Sequence, residues 1–301
     1  MNLVSRRVLV PVHLFGAGAL AACTLALPRG PAPSRDGERA VQRDRELVLP
    51  QRSPSALPGS QLLAQLRTLS LAEREANVWR EFEAGNVPVF LGKLVPVQVA
   101  ATVQGRRRTA TFWCATDYFG LGHDEDWFRM PVTSQLAQRI ADRCRCVLPT
   151  RAMVDAIWVK APLKLTPHPF HPASHDIVSV ALFYEHHLRI EAQRDGRPRD
   201  LLVAGIKKDI VSSVLIEDWP GRVLIYGWHR PDGSPIQPLS KVHTDAHVDY
   251  SHGLRLVAED MEVDDTATTV AAVLADPELH VLLSDEGPIA KPRYRLAGST
   301  R

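Results

Sequence analysis

Apolar residues follow two spacings along this chain, and they change over near its middle. Between residues 61 and 85, Leu62, Leu63, Leu66, Leu69, Ala72, Ala76, Trp79 and Phe82 recur mostly at intervals of three and four, the spacing that turns one stripe of a helix toward a core. Ser70 stands three residues before Glu73, the arrangement of a capping box. The pattern therefore predicts one bent helix or two short ones, closed by Gly85. Segments 133–145 and 150–161 repeat the helical spacing, each behind a threonine suited to cap it.

Other stretches alternate or run continuously apolar. "KLVPVQVAATV" and "TATFWCATDYF" flank the polar "QGRRR", which predicts a hairpin. From residue 176, "DIVSVALFYEHHLRIEAQ", "DLLVAGIKKDIVSSVLI", "GRVLIYGWHR", "SPIQPL" and "GLRLVAEDMEV" read as strands, and "TATTVAAVLADPEL" as a closing helix. Because helices precede strands rather than alternate with them, the expected fold is α+β, a helical N-terminal part packed on a mainly antiparallel β-sheet. The expected body is a single domain over 61–295, with a helical half 61–165, a strand-rich half 176–295 and a tail 296–301. The His- and Pro-rich "HPFHPASHD" between the halves reads as a linker.

The N-terminus carries a separate message. Arg6 and Arg7 precede an apolar run that stops at Leu20-Ala21-Ala22-Cys23, too short for a membrane span and suited to a signal peptide over 1–22. These four residues resemble the lipobox of bacterial lipoproteins. The resemblance implies lipidation at Cys23, anchorage to a membrane, and a place in the cell envelope, on the outer membrane where the host has one. Residues 24–60 are rich in Pro, Arg, Asp and Ser, so 23–60 reads as a lipidated flexible tether. In such a compartment disulfides persist, and Cys114 is expected to pair with Cys144 or Cys146, since the latter two are too close together in sequence for an unstrained bridge.

Composition mainly excludes. With 45% hydrophobic and 23% charged residues and a formal charge of +2, the chain is neither disordered throughout nor suited to nucleic acid, and its basic residues form no stripe.

The candidate chemistry lies in "KVHTDAHVDYSHG", 241–253. On an extended segment, positions 243, 245, 247 and 249 share one face, so His243, His247 and Asp249 are candidate metal ligands, with zinc the candidate ion. His229, His243, His252 and Asp249 are candidate acid–base groups. Lys208 and Asp209, set inside an apolar strand, with Tyr226, Ser251 and Arg255 are candidate cleft residues, because ionisable groups in a strand must be paired or exposed. The words "YGWH", "PIQPL" and "VDYSHGLRLV" resemble those of secreted bacterial proteins of unassigned activity, which implies that they belong to one domain. The expected function is a membrane-tethered envelope lipoprotein that hydrolyses a cell-wall or other extracellular substrate through the His/Asp cluster. The alternative is a non-catalytic lipoprotein that binds a cell-wall or protein partner.

Overall fold

The computed structural model describes residues 45–296. The signal peptide, Cys23 and the first part of the tether lie outside them, as does the tail beyond Leu296. In chain order the elements are β1 (Arg45–Glu46), α1 (Gly59–Leu66), α2 (Leu71–Glu83), β2 (Lys93–Val103), β3 (Arg106–Ala115), β4 (Gly120–His123), β5 (Asp126–Arg129), α3 (Ser134–Arg143), β6 (Cys146–Val147), α4 (Arg151–Lys160) and β7 (Leu163–Lys164). There follow α5 (Val180–Arg194), β8 (Val203–Ala204), β9 (Lys208–Ile210), α6 (Leu215–Asp218), β10 (Ile225–His229), β11 (Pro235–Ser240), β12 (His252–Gly253), β13 (Val257–Ala258), β14 (Asp260–Val263), β15 (Thr266–Thr269) and α7 (Val270–Ala275).

The fold is α+β with mainly antiparallel strand pairing. The larger sheet runs β1-β2-β3-β13-β6, with β14 also on β3 and β15 on β14. Its backbone is the β2–β3 hairpin, in register from Leu94 opposite Ala115 to Val103 opposite Arg106. Gln104 and Gly105 turn it with φ of 47° and 73°, the left-handed pair that a tight hairpin turn requires. The smaller sheet runs β11-β10-β9-β12, with only β12 parallel to its neighbour. The capping box forms as expected, Ser70 and Glu73 closing the start of α2.

The chain crosses between the sheets over residues 252–258, and this crossing positions everything discussed below. Arg255 is fully buried there, donating from Nη1 to the Ala115 carbonyl at 2.9 Å and from Nη2 to that of Val203 at 2.7 Å. Its guanidinium lies 4.0 Å from the centre of the Tyr118 ring. Gly253 makes the crossing possible, since a Cβ there would stand 2.5 Å from Tyr118 Cδ1 and 2.7 Å from Lys207 Cβ.

Three expectations are corrected. Segment 176–193 is not a strand: it is mostly α5, capped by Ser179, and its buried positions include Phe183, His186, His187, Ile190 and Arg194. Three of the seven buried positions of α5 are polar, His186, His187 and Arg194, so an apolar count misses the period. The halves are consequently not one helical and one stranded, because the longest hairpin lies in the first and the longest helix in the second. Second, residues 45–60 are not tether. Arg45 pairs with Glu262 at 2.9 Å and lies over Trp113, Leu47, Leu49 and Leu57 pack on the core, and Arg52 donates to the carbonyls of Gly122, Ala56 and Leu57. Third, Cys114, Cys144 and Cys146 are all free and buried. β13 lies between Cys114 and Cys146, Val257 facing the one and Ala258 the other. Two strand spacings, about 9.6 Å, exceed the Cα separation of a disulfide. Cys144 belongs to a different core cluster from Cys114.

Among the described residues no helix is long and apolar enough to cross a membrane.

Candidate metal centre

Residues 241–251 are bends and turns rather than a strand. Backbone bonds pin the segment: Val223 N to His243 O at 3.2 Å, Asp245 N to Gly221 O at 3.0 Å, His247 N to Thr244 O at 2.9 Å and Tyr250 N to Ile177 O at 3.0 Å. The shared face expected for 243, 245, 247 and 249 is therefore absent, and Asp245 accepts instead from Gln135 of α3. The loop nevertheless gathers the rest. His243 and His247 stack with ring centroids 4.0 Å apart, and His252 stands edge-on to His247 at 5.6 Å.

Asp249 sits at the centre. Its Oδ1 accepts from the Ser251 amide at 2.7 Å and the Ser251 hydroxyl at 2.5 Å. Its Oδ2 faces His247 Nε2 at 3.6 Å and His252 Nε2 at 3.9 Å. Both distances exceed a hydrogen bond. Burial works against the Asp249 charge, but His247, His252, Lys208 and the Ser251 hydroxyl outweigh it and hold the carboxyl well below the ordinary carboxylate range. Burial pushes the His252 imidazole down to about 3 and lowers His243 as well, the latter helped by His247. His252 is thus neutral at ordinary pH.

These features fit a metal. One donor atom from each of His247, Asp249 and His252 lies within 4.8 Å of the others. His247 Nε2 and both ring nitrogens of His252 are buried with no hydrogen-bond partner among the described residues. Buried polar atoms are normally paired, so orphaned imidazole nitrogens around a carboxylate oxygen suit a cation that takes nitrogen and oxygen donors, as zinc does. Bonds near 2 Å place tetrahedral donors about 3.4 Å apart, so a metal requires a modest contraction of the group. Ser251, holding the far oxygen of Asp249, is the outer partner that orients such a ligand. The ligand set expected from sequence changes by one member: His252 takes the place of His243, whose ring is stacked on His247.

Of the other expected site residues, Lys208 adjoins the cluster and the rest lie apart. His229 Nε2 donates to Asp155 Oδ1 at 2.8 Å, Tyr226 donates to the same carboxylate at 2.9 Å, and Trp158 stacks on the His229 ring. His229 and Tyr226 thus form their own group with α4. Asp209 accepts from the Tyr118 hydroxyl at 2.8 Å beside Arg255, and burial pushes it up to about 6. Lys208 is opposite His252 in the β9–β12 register, with its ammonium 5.2 Å from the Trp228 ring.

Two further charged groups are buried near the site, and the sequence marked only the first of them, beside Lys208 and Asp209. Lys207 is 1% exposed, its ammonium donating to the Tyr250 carbonyl, and burial together with Arg129 pushes it down to about 7. Asp117, Arg129 and Arg194 form a buried ion triad, with contacts of 2.6 and 3.0 Å from the two arginines to Asp117 Oδ2, while Glu191 takes Arg129 at 2.8 Å. Adjacent ionisable letters inside an apolar run were the one available signal for Lys207. Nothing in the spacing of residues 117, 129 and 194 announced the triad. No family model, no curated protein and no solved structure matches this chain, so the site's chemistry stands on its geometry.

Proposed function

We propose that the protein is a metal-dependent hydrolase of the cell envelope, anchored by lipid at Cys23 and acting on a cell-wall or other extracellular substrate. The observation that carries the hydrolase reading is the convergence of His247, Asp249 and His252 with their imidazole nitrogens unpartnered. Bound there, zinc would supply an acidified water and polarise a carbonyl, and three protein donors leave a position for both uses. Ser251 fixes the Asp249 carboxylate, and neutral His252 needs no proton removed to serve as a ligand. His243, half-buried beside His247, is the group placed to move a proton at the rim. The anchor rests on the "LAAC" stretch and the charged, apolar run before it.

The test is the full-length chain purified without chelator. One zinc per chain by elemental analysis, turnover of peptidoglycan fragments, and loss of at least tenfold in zinc affinity in His252→Ala and His247→Ala are expected. A metal-free protein whose variants behave as the parent in every assay would overturn the reading. Stoichiometric metal with no turnover on any envelope substrate would reduce the cluster to a structural clip, and the non-catalytic binding module would then be preferred.

A further inference from the structure

His247 belongs to a second neighbourhood. With its loop neighbours it closes one end of an open groove of about 350 Å³ between the start of α2 and the start of α5. The walls are partly apolar, Leu69 and Val178 among them, but two arginines, Arg67 and Arg74, also line the groove. Arg74 is only 6% exposed. It donates from Nη1 to the Val178 carbonyl at 3.1 Å and packs over the Phe183 ring, while its Nε has no partner among the described residues. Arg67 is exposed and makes no ion pair among the described residues. The nearby Glu73 is committed to the cap of α2. Asp176 also lines the groove, yet it lies within ion-pair distance of neither arginine, and its Oδ1 accepts from the Val178 amide at 3.4 Å.

A half-apolar groove with two guanidinium groups, one of them buried and incompletely paired, calls for an anion with a flat face of two oxygens. Its volume is at the low end of ligand pockets, enough for about two amino-acid residues. Asp176 adds an acceptor for N–H groups. A peptide end offers a carboxylate and an N–H together, whereas a phosphate monoester offers no N–H. We propose that this groove binds the free C-terminal carboxylate end of a short peptide, with Arg67 and Arg74 on the carboxylate and the peptide directed toward His247. Resting on the hydrolase reading above, this makes the substrate a peptide cut near its C-terminus. Water adds across the peptide bond, its oxygen going to the carbonyl carbon and its proton to the leaving nitrogen.

The experiment uses the full-length chain after chelator treatment and again with zinc restored. The probes are N-acetyl-alanyl-alanine, its C-terminal amide and inorganic phosphate, with binding followed by calorimetry and metal content measured separately. The acid should bind at least tenfold more tightly than the amide or phosphate, with or without zinc. Arg67→Gln, at an exposed position that does not endanger folding, should weaken the acid about tenfold and leave the amide unchanged; Arg74→Lys should do the same if its thermal unfolding matches the parent. Equal binding of acid and amide, tighter binding of phosphate, or no binding of any probe would overturn the inference. A protein that holds zinc but not the acid refutes only this inference, and one that holds the acid but no zinc refutes only the metal reading.

Discussion

Replacing Lys207 by methionine should stabilise the protein at pH 6 and cease to do so at pH 10. The lysine is buried and its pKa falls from 10.5 to about 7. At about 1.4 kcal/mol per unit, keeping a proton that the unfolded chain binds more readily costs the native state about 5 kcal/mol. The sign follows from which state binds more protons. Between pH 7 and 10.5 the unfolded chain does, so native stability rises with pH across that window; the penalty is complete below 7 and about 1 kcal/mol by pH 10. Methionine has a similar volume and carries no charge, but it strands the Tyr250 carbonyl that Lys207 now satisfies, at about 1–3 kcal/mol. The net gain is about 2–4 kcal/mol at pH 6. At pH 10 the variant should be level with the parent or as much as about 2 kcal/mol less stable. Urea unfolding of both proteins at the two pH values in chelator measures this swing of about 4 kcal/mol, and groups common to both proteins cancel in the difference. A variant whose stability relative to the parent changes by less than about 1 kcal/mol would refute the claim that Lys207 loses its proton in this window. The Tyr250 carbonyl lies between Asp249 and Ser251, so the same variant should bind zinc about tenfold more weakly even where it is more stable.

Asp117→Asn should cost about 3–5 kcal/mol at pH 7, because it leaves Arg194 buried without its carboxylate and Arg129 with Glu191 alone; a loss under 1 kcal/mol by urea unfolding would contradict the buried triad. Burial opposes the Asp117 charge but the arginines hold its pKa at about 2, so the parent should keep this contribution above the usual carboxylate range and lose it as the pH falls toward 2, with Asp117→Asn correspondingly flatter over the same range. Cys114, Cys144 and Cys146 should resist alkylation in the folded protein, burial having pushed the Cys114 thiol up to about 12, and all three should react in denaturant without reductant; a thiol count below three at these positions would mean a disulfide. Cys23→Ser should abolish partition into detergent and leave the unfolding transition unchanged, which intact mass and phase separation check.

The α+β class, the β2–β3 hairpin, the Ser70–Glu73 cap and the Thr133 and Thr150 caps were legible because each depends on neighbours within a turn or two of the chain. Periodicity and capping express local physics, and local physics is written in consecutive letters. The candidate site was half legible in the same way: crowding of His243, His247, Asp249 and His252 within ten positions marked the loop, whereas the choice of His252 over His243 depended on turns set by bonds to residues 177 and 221. Helix α5 was misread for the opposite reason, since His186, His187 and Arg194 face inward to meet Arg129, Asp117 and Tyr250 from elsewhere in the chain. The hydropathy of a histidine says nothing of a buried partner far away in sequence. What the sequence by itself determined was most of the local elements and the loop worth searching. What only the tertiary structure decided was which polar groups are buried together, namely the Lys207 ammonium, the Asp117 triad and the groove of Arg67 and Arg74. Burial and pairing energies belong to contacts between distant segments, and no spacing along the chain encodes them.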